Sequence, residues 1–151
     1  MNNHEADILL VEDSMEDAEM TIRALKKVNL ANKLVHVKDG REALDFLFGE
    51  GEFSGRDTNN KPKVILLDIK MPRVDGIEVL RQLKSNEKTK AIPIVIMTSS
   101  SQEKDIIASY TLGVNSYVVK PVEFEGFAKA VSELGMYWLL TNKVTNTVAN
   151  K

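Results

Sequence analysis

Four apolar stretches of this chain each run into residues that could do chemistry. Ile8-Leu9-Leu10-Val11 leads into Glu12-Asp13, and Val64-Ile65-Leu66-Leu67 leads into Asp68. Ile92-Pro93-Ile94-Val95-Ile96-Met97 leads into Thr98, and Val114-Asn115-Ser116-Tyr117-Val118-Val119 leads into Lys120-Pro121. Taken singly, each polar end has a plain explanation. The acids can be solvated caps, Thr98 a capping hydroxyl and Lys120 a side chain that reaches out to water. Brought together, three carboxylates repel one another unless a cation joins them. A hard divalent ion with oxygen ligands answers that need, and Mg²⁺ typically uses one or two carboxylates, waters and phosphate oxygens. Lys120 and the Thr98 hydroxyl then supply donors for an anion beside the metal. Metal, lysine, hydroxyl and a nucleophilic carboxylate are the parts of a phosphoryl-transfer site.

The elements between these stretches must bring the ends together. A short apolar run bounded by turn signals reads as a strand buried on both faces. Leu34-Val35-His36-Val37 is a further short strand, ending in Lys38-Asp39, which adds nothing central and suits a sheet edge. Helical spacing follows each strand. Ser14 caps a helix carrying Ala18, Ile22 and Leu25, and 41–48 is a helix with Ala43, Leu44 and Leu47 inward. After Asp75-Gly76 comes a helix striped with Ile77, Leu80 and Leu83. Residues 102–112 form another, stopped by Gly113, and 123–140 the last, carrying Phe127, Val131, Leu134 and Trp138. Strand–helix alternation five times over implies an α/β fold, a parallel sheet with helices on both faces. All strand ends then lie along one edge, and ligands of such sheets bind in the crevice there.

Composition bounds the alternatives. The chain has 151 residues, 43% hydrophobic and 28% charged, which suits a single domain over 1–151. Its core spans about 7–140, the glycine-rich, polar stretch 49–60 is a mobile loop insertion, and 141–151 is a polar tail. A net charge of −2 and the absence of a basic tract argue against direct DNA binding. No run is long enough to span a membrane, and no signal peptide is visible, so a cytoplasmic location is expected. With no cysteine, thiolate metal sites and cysteine nucleophiles are excluded. No Gly-rich loop ending in Lys-Ser/Thr occurs, so the site is not a P-loop.

The segments 8–13, 66–76 (Leu-Leu-Asp-Ile-Lys-Met-Pro-Arg-Val-Asp-Gly), 96–99 and 117–121 occur in an order and spacing that resemble the receiver domain of two-component response regulators. The resemblance covers Asp7 to about Leu140. It implies a flavodoxin-like (βα)5 doubly wound sheet of strand order 2-1-3-4-5. It implies that Asp68 accepts a phosphoryl group from a sensor histidine kinase. Asp13, Asp68 and the backbone carbonyl of Lys70 would hold Mg²⁺, with Mn²⁺ able to substitute, and Glu12 would act through a water on the metal. Lys120 would pair with the phosphoryl group or, before phosphorylation, with Asp68. Thr98 would donate its hydroxyl to a phosphoryl oxygen. Tyr117 matches the family's switch aromatic or is an ordinary strand aromatic. The Lys120–Pro121 bond would be cis, which proline alone makes cheap.

Glu12 stands where an aspartate is common, a variant that keeps a carboxylate. The 49–60 insertion, with 46–49, 109–113 and Tyr137-Trp138, is similar to single-domain regulators that pair with phytochrome-like histidine kinases. Output would then be protein contact through the fourth helix, last strand and final helix, or onward transfer to a phosphotransfer protein. A homodimer through the 102–140 face is a further expectation, motivated by Ile106, Ile107, Tyr110 and Trp138. The competing reading is a receiver-like binding module that is never phosphorylated, although Asp13, Asp68, Thr98 and Lys120 are all present. A conventional hydrolase with an aspartyl-phosphate intermediate would need an acid two residues after Asp68, and Lys70 stands there. The chain is therefore not expected to be a conventional enzyme, beyond catalysing its own phosphorylation and dephosphorylation.

Overall fold

The computed structural model of the chain describes residues 6–27, 33–69, 71, 74–99, 111–114 and 116–134. Five parallel strands form one sheet: β1 (Ile8–Val11), β2 (Leu34–Val37), β3 (Val64–Asp68), β4 (Ile94–Thr98) and β5 (Tyr117–Val119). Their order is β2-β1-β3-β4-β5, so β3 is central and β2 lies at an edge. This is the flavodoxin-like order expected from the sequence.

Alternation along the strands sorts the core into two layers. Leu9, Val11, Ile65, Leu67, Ile94 and Ile96 face one side. There they meet Ala43, Leu44, Phe46 and Leu47 of α2 (Gly40–Phe48) and Val79, Leu80 and Leu83 of α3 (Gly76–Lys84). Ile8, Leu10, Val64, Leu66, Val95 and Met97 face the other. They meet Ala18 and Leu25 of α1 (Met15–Lys26) and Phe127, Ala130 and Val131 of the final helix (Phe124–Glu133). Each fully buried side chain of this size stabilises the fold by roughly 1.5–3 kcal/mol relative to exposure. The central strands therefore carry no polar residue until β3 reaches Asp68 and β4 reaches Thr98.

Helix starts follow local chemistry. The side chains of Ser14, Asp39 and Asp75 accept from the backbone N–H groups of Asp17, Glu42 and Glu78. Asp75 is thus a cap as well as a turn residue. β4 and β5 begin later than their apolar runs, because Ile92 and Val114 are buried in the core without joining the ladder. The helix expected over 102–112 lies outside the described residues except at Thr111 and Leu112, of which Thr111 is helical. Residues 135–140 of the last expected helix also lie outside them, as does the tail. No helix among the described residues is long and apolar enough to cross a membrane.

The 49–60 insertion is mostly exposed, but two of its side chains, Phe53 and Arg56, are buried against the domain. Gly51–Phe53 forms a 3-10 turn, and Phe53 meets Phe46 edge-on with ring centroids 5.2 Å apart. The Arg56 guanidinium lies 4.0 Å from the Phe46 ring centroid. It donates to the carbonyl oxygens of Phe46, at 2.8 Å, and Asn60. One aromatic and one arginine anchor a segment whose composition reads as free loop.

The turn after β3 is held by close approach. A Cβ on Gly76 would lie 2.3 Å from the Asp68 carbonyl oxygen and 2.7 Å from the Ile69 Cα. Both are backbone atoms, so the turn itself would have to move. Gly76→Ala should therefore cost about 1–3 kcal/mol in urea unfolding. It should also weaken divalent-cation binding, because the displaced atoms belong to the residue that ends β3. Unchanged stability would show that the turn has slack.

Candidate functional site

Backbone bonds align the strand ends before any side chain is considered. The Glu12 N–H donates to the Val37 carbonyl at 3.1 Å, and the Ile69 N–H to the Met97 carbonyl at 3.2 Å. The Lys120 N–H donates to the Thr98 carbonyl at 2.7 Å, and the Lys120–Pro121 bond is cis. Glu12 and Asp68 share strand parity with Ile8, Leu10, Val64 and Leu66, so both fall on the α1 side of the sheet.

One carboxylate oxygen from each of Glu12, Asp13 and Asp68 lies within 4.8 Å of the others. Asp13 is exposed, whereas Glu12 and Asp68 are buried. The Lys120 Nζ reaches over them, 2.9 Å from Glu12 Oε1 and 3.3 Å from Asp68 Oδ2. It also lies 3.4 Å from Asp17 Oδ2 on α1. Burial alone would lower the affinity of the Lys120 amine for its proton. Contact with Glu12 and the charges of Asp68 and Glu12 outweigh burial and raise its pKa from 10.5 to about 12. The site thus keeps one cation of its own at any working pH.

The donor set fits a hard divalent cation. All three acids offer oxygen, and Glu12 Oε1 is buried without a well-aligned hydrogen bond, its contact with Lys120 being held by charge. Glu12 Oε2 accepts from the Ser14 N–H at 3.1 Å, which turns Oε1 toward the cleft. Glu12, Asp13, Ser14, Asp17, Asp68, Ile69, Ser99 and Lys120 line a cleft of about 170 Å³. That volume has room for a metal ion and a phosphoryl-sized group.

The expected residues do not all meet. Glu12, Asp13, Asp68 and Lys120 converge. Thr98 is buried at the end of β4, and the next residue, Ser99, lines the cleft. Tyr117 lines a separate cavity of about 370 Å³ between β5 and the final helix, with Glu123, Lys129 and Glu133 among its other walls. Lys70 lies outside the described residues. Two contributors were not expected. The His36 Nε2 lies 2.8 Å from the Glu12 carbonyl, so the edge strand β2 does touch the acidic turn. Asp17 reaches Lys120 across 103 residues of sequence.

Comparisons with known proteins agree on one family. The family model for the response regulator receiver domain matches residues 8–132. The structure of the bacteriophytochrome response regulator AtBRR is similar at a TM-score of 0.81 and 50% identity, covering 87% of this chain and 93% of that one. Response regulator Rcp1 of Synechocystis sp. is 40% identical over 134 residues, 89% of each chain. Its Mn²⁺-bound structure superposes with a TM-score of 0.71, covering 89% of this chain and 94% of that one. The phosphorylated cyanobacterial phytochrome response regulator RcpA is similar at a TM-score of 0.69 and 34% identity, with 90% of this chain and 94% of that one covered.

Proposed function

Since the chain belongs to the receiver domain family of response regulators, we propose that it is a single-domain phosphorylation switch whose acceptor is Asp68. An Asp68 carboxylate oxygen attacks the phosphorus of a phosphohistidine on a sensor histidine kinase. A P–O bond forms and the P–N bond breaks, and the departing imidazole nitrogen takes a proton from solvent. The observation that carries this reading is the convergence of three carboxylates and the Lys120 ammonium on one phosphoryl-sized cleft.

Each residue has a task. Asp68 is the nucleophile, and the end of β3 fixes its direction of attack. Lys120 remains protonated and pairs with the incoming phosphoryl oxygens while keeping Glu12 compensated. Glu12, Asp13 and Asp68, with the backbone carbonyl of Lys70, would hold Mg²⁺, or Mn²⁺ in its place. A bound divalent cation supplies charge neutralisation for the carboxylates and the transferred group. The Mn²⁺-bound form of Rcp1 and the phosphorylated form of RcpA support both halves of the reading.

The product carries roughly −1.5 to −2 extra charge and three strong acceptors. The Thr98 hydroxyl turns toward them, and Tyr117 moves into the space released beside β5. This reshapes the surface made by 102–112, β5 and the final helix, and signalling passes to a downstream protein or a phosphotransfer protein. Self-association through the 102–140 face uses Ile106, Ile107, Tyr110 and Trp138, which lie outside the described residues. The similarity to AtBRR, Rcp1 and RcpA supports a phytochrome-like kinase as the phosphoryl source.

Incubation with a small phosphodonor and Mg²⁺ should add one phosphoryl group by intact mass, and chelator should prevent it. No addition would favour a binding module that is never phosphorylated, and addition that survives chelation would contradict the divalent-cation role of the three carboxylates.

A further inference from the structure

We propose that Asp17 is a positioning residue that acts through Lys120, holding its ammonium toward the mouth of the cleft until an anion displaces it. This rests on the reading of the cleft as a divalent-cation and phosphoryl site. An ammonium has three N–H donors, and three carboxylates face this one. They are Glu12 at 2.9 Å, Asp68 at 3.3 Å and Asp17 at 3.4 Å.

The three partners are not equivalent. The Glu12 and Asp68 side chains are 1% and 6% exposed, while that of Asp17 is 42% exposed. A buried carboxylate deprived of its cation keeps an uncompensated charge, whereas a half-exposed one takes up water. When Lys120 turns to a phosphoryl oxygen, Asp17 is therefore the partner it leaves. The position of Asp17 is fixed by the start of α1, where its N–H donates to the Ser14 hydroxyl oxygen at 3.2 Å.

Asp17 is not one of the carboxylates that cluster within 4.8 Å, so it is not proposed as a metal ligand. Its effect on a divalent cation is indirect. With Asp17 present, the ammonium is shared three ways and drawn partly off the Glu12–Asp68 pair. Without it, the ammonium settles on Glu12 and Asp68 and competes with the cation for the same oxygens.

The test is Mn²⁺ binding followed by electron paramagnetic resonance at physiological ionic strength. Asp17→Asn should weaken Mn²⁺ binding by about two- to fivefold, in keeping with the usual worth of a half-exposed ion pair. Asp17→Glu should restore it. In a Lys120→Met background the same Asp17→Asn change should alter affinity by less than about twofold, since the route through the ammonium is gone. Equal affinity of wild type and Asp17→Asn would overturn the proposal. So would equal weakening in both backgrounds, which would reveal a charge acting at a distance. Mn²⁺ binding needs no phosphodonor, so failure of phosphorylation would overturn the proposed function and leave this result standing. A wild-type protein that binds no Mn²⁺ would overturn both.

Discussion

Asp68→Asn should take up no phosphoryl group from a small phosphodonor in Mg²⁺, a loss of more than about a hundredfold in rate, while melting no lower than wild type. The chemical half follows from the nucleophile. A neutral amide has no anionic oxygen to attack phosphorus, and the remaining acids serve other ends. Glu12 is buried beneath Lys120, and Asp13 is exposed at the rim. The stability half follows from the charge cluster. Three carboxylates within 4.8 Å repel, and removing one charge relieves that repulsion. The amide keeps the shape of the side chain at the end of β3, and Lys120 keeps its contact with Glu12. Phosphate uptake by intact mass and a thermal melt check the two halves separately. Uptake at the wild-type rate would move the acceptor to another residue, and a large fall in Tm would show that Asp68 is structural.

Lys120→Met is the second large effect, and it acts on stability and chemistry together. The substitution keeps an unbranched apolar stem but leaves Glu12 Oε1, on a side chain only 1% exposed, without its cation. Breaking a buried pair in this way typically costs 3–5 kcal/mol, and the partial exposure of Lys120 puts the expected loss near about 3 kcal/mol. Divalent cation should restore part of it, because a metal ion supplies the missing charge. The rate of phosphoryl uptake should fall by about a hundredfold or more, as for loss of one preorganised donor to a developing anion. The pH dependence has a definite sign. Folding raises the Lys120 pKa from 10.5 to about 12. Its stabilising contribution is complete below pH 10.5 and is lost as pH rises through about 12. The stability gap between wild type and Lys120→Met should therefore be flat through neutral pH and close in strong alkali. Urea unfolding with and without Mg²⁺ measures the gap. A variant as stable as wild type in chelator would show that Glu12 finds compensation elsewhere.

Much of this site is legible in the sequence, for a physical reason. Residues 8–11 and 64–67 are apolar and branched because both faces of a central strand are covered, and such runs identify themselves. Once they are parallel neighbours, Glu12 and Asp68 must meet, because pairing Ile8 with Val64 puts their ends side by side. What the sequence hides are contacts made by groups with an adequate local explanation. Asp17 reads as an acid suited to a helix start, and His36 as one residue of an edge strand. Arg56 lies in a glycine-rich polar stretch, yet its guanidinium is carried inward by the face of Phe46. Burial also misleads at strand ends. Ile92 and Val114 are apolar because they fill the core, not because they join the ladder.

The most direct measurement is to trap the modified residue. Borohydride reduces an acyl phosphate to an alcohol, so a phosphorylated aspartate becomes homoserine and peptide mass mapping reports its position. The phosphorylated chain should yield homoserine at residue 68 alone, and only when divalent cation was present during phosphorylation. Homoserine at residue 13, or a phosphate that resists reduction on a hydroxyl side chain, would contradict the assignment of Asp68 as the acceptor.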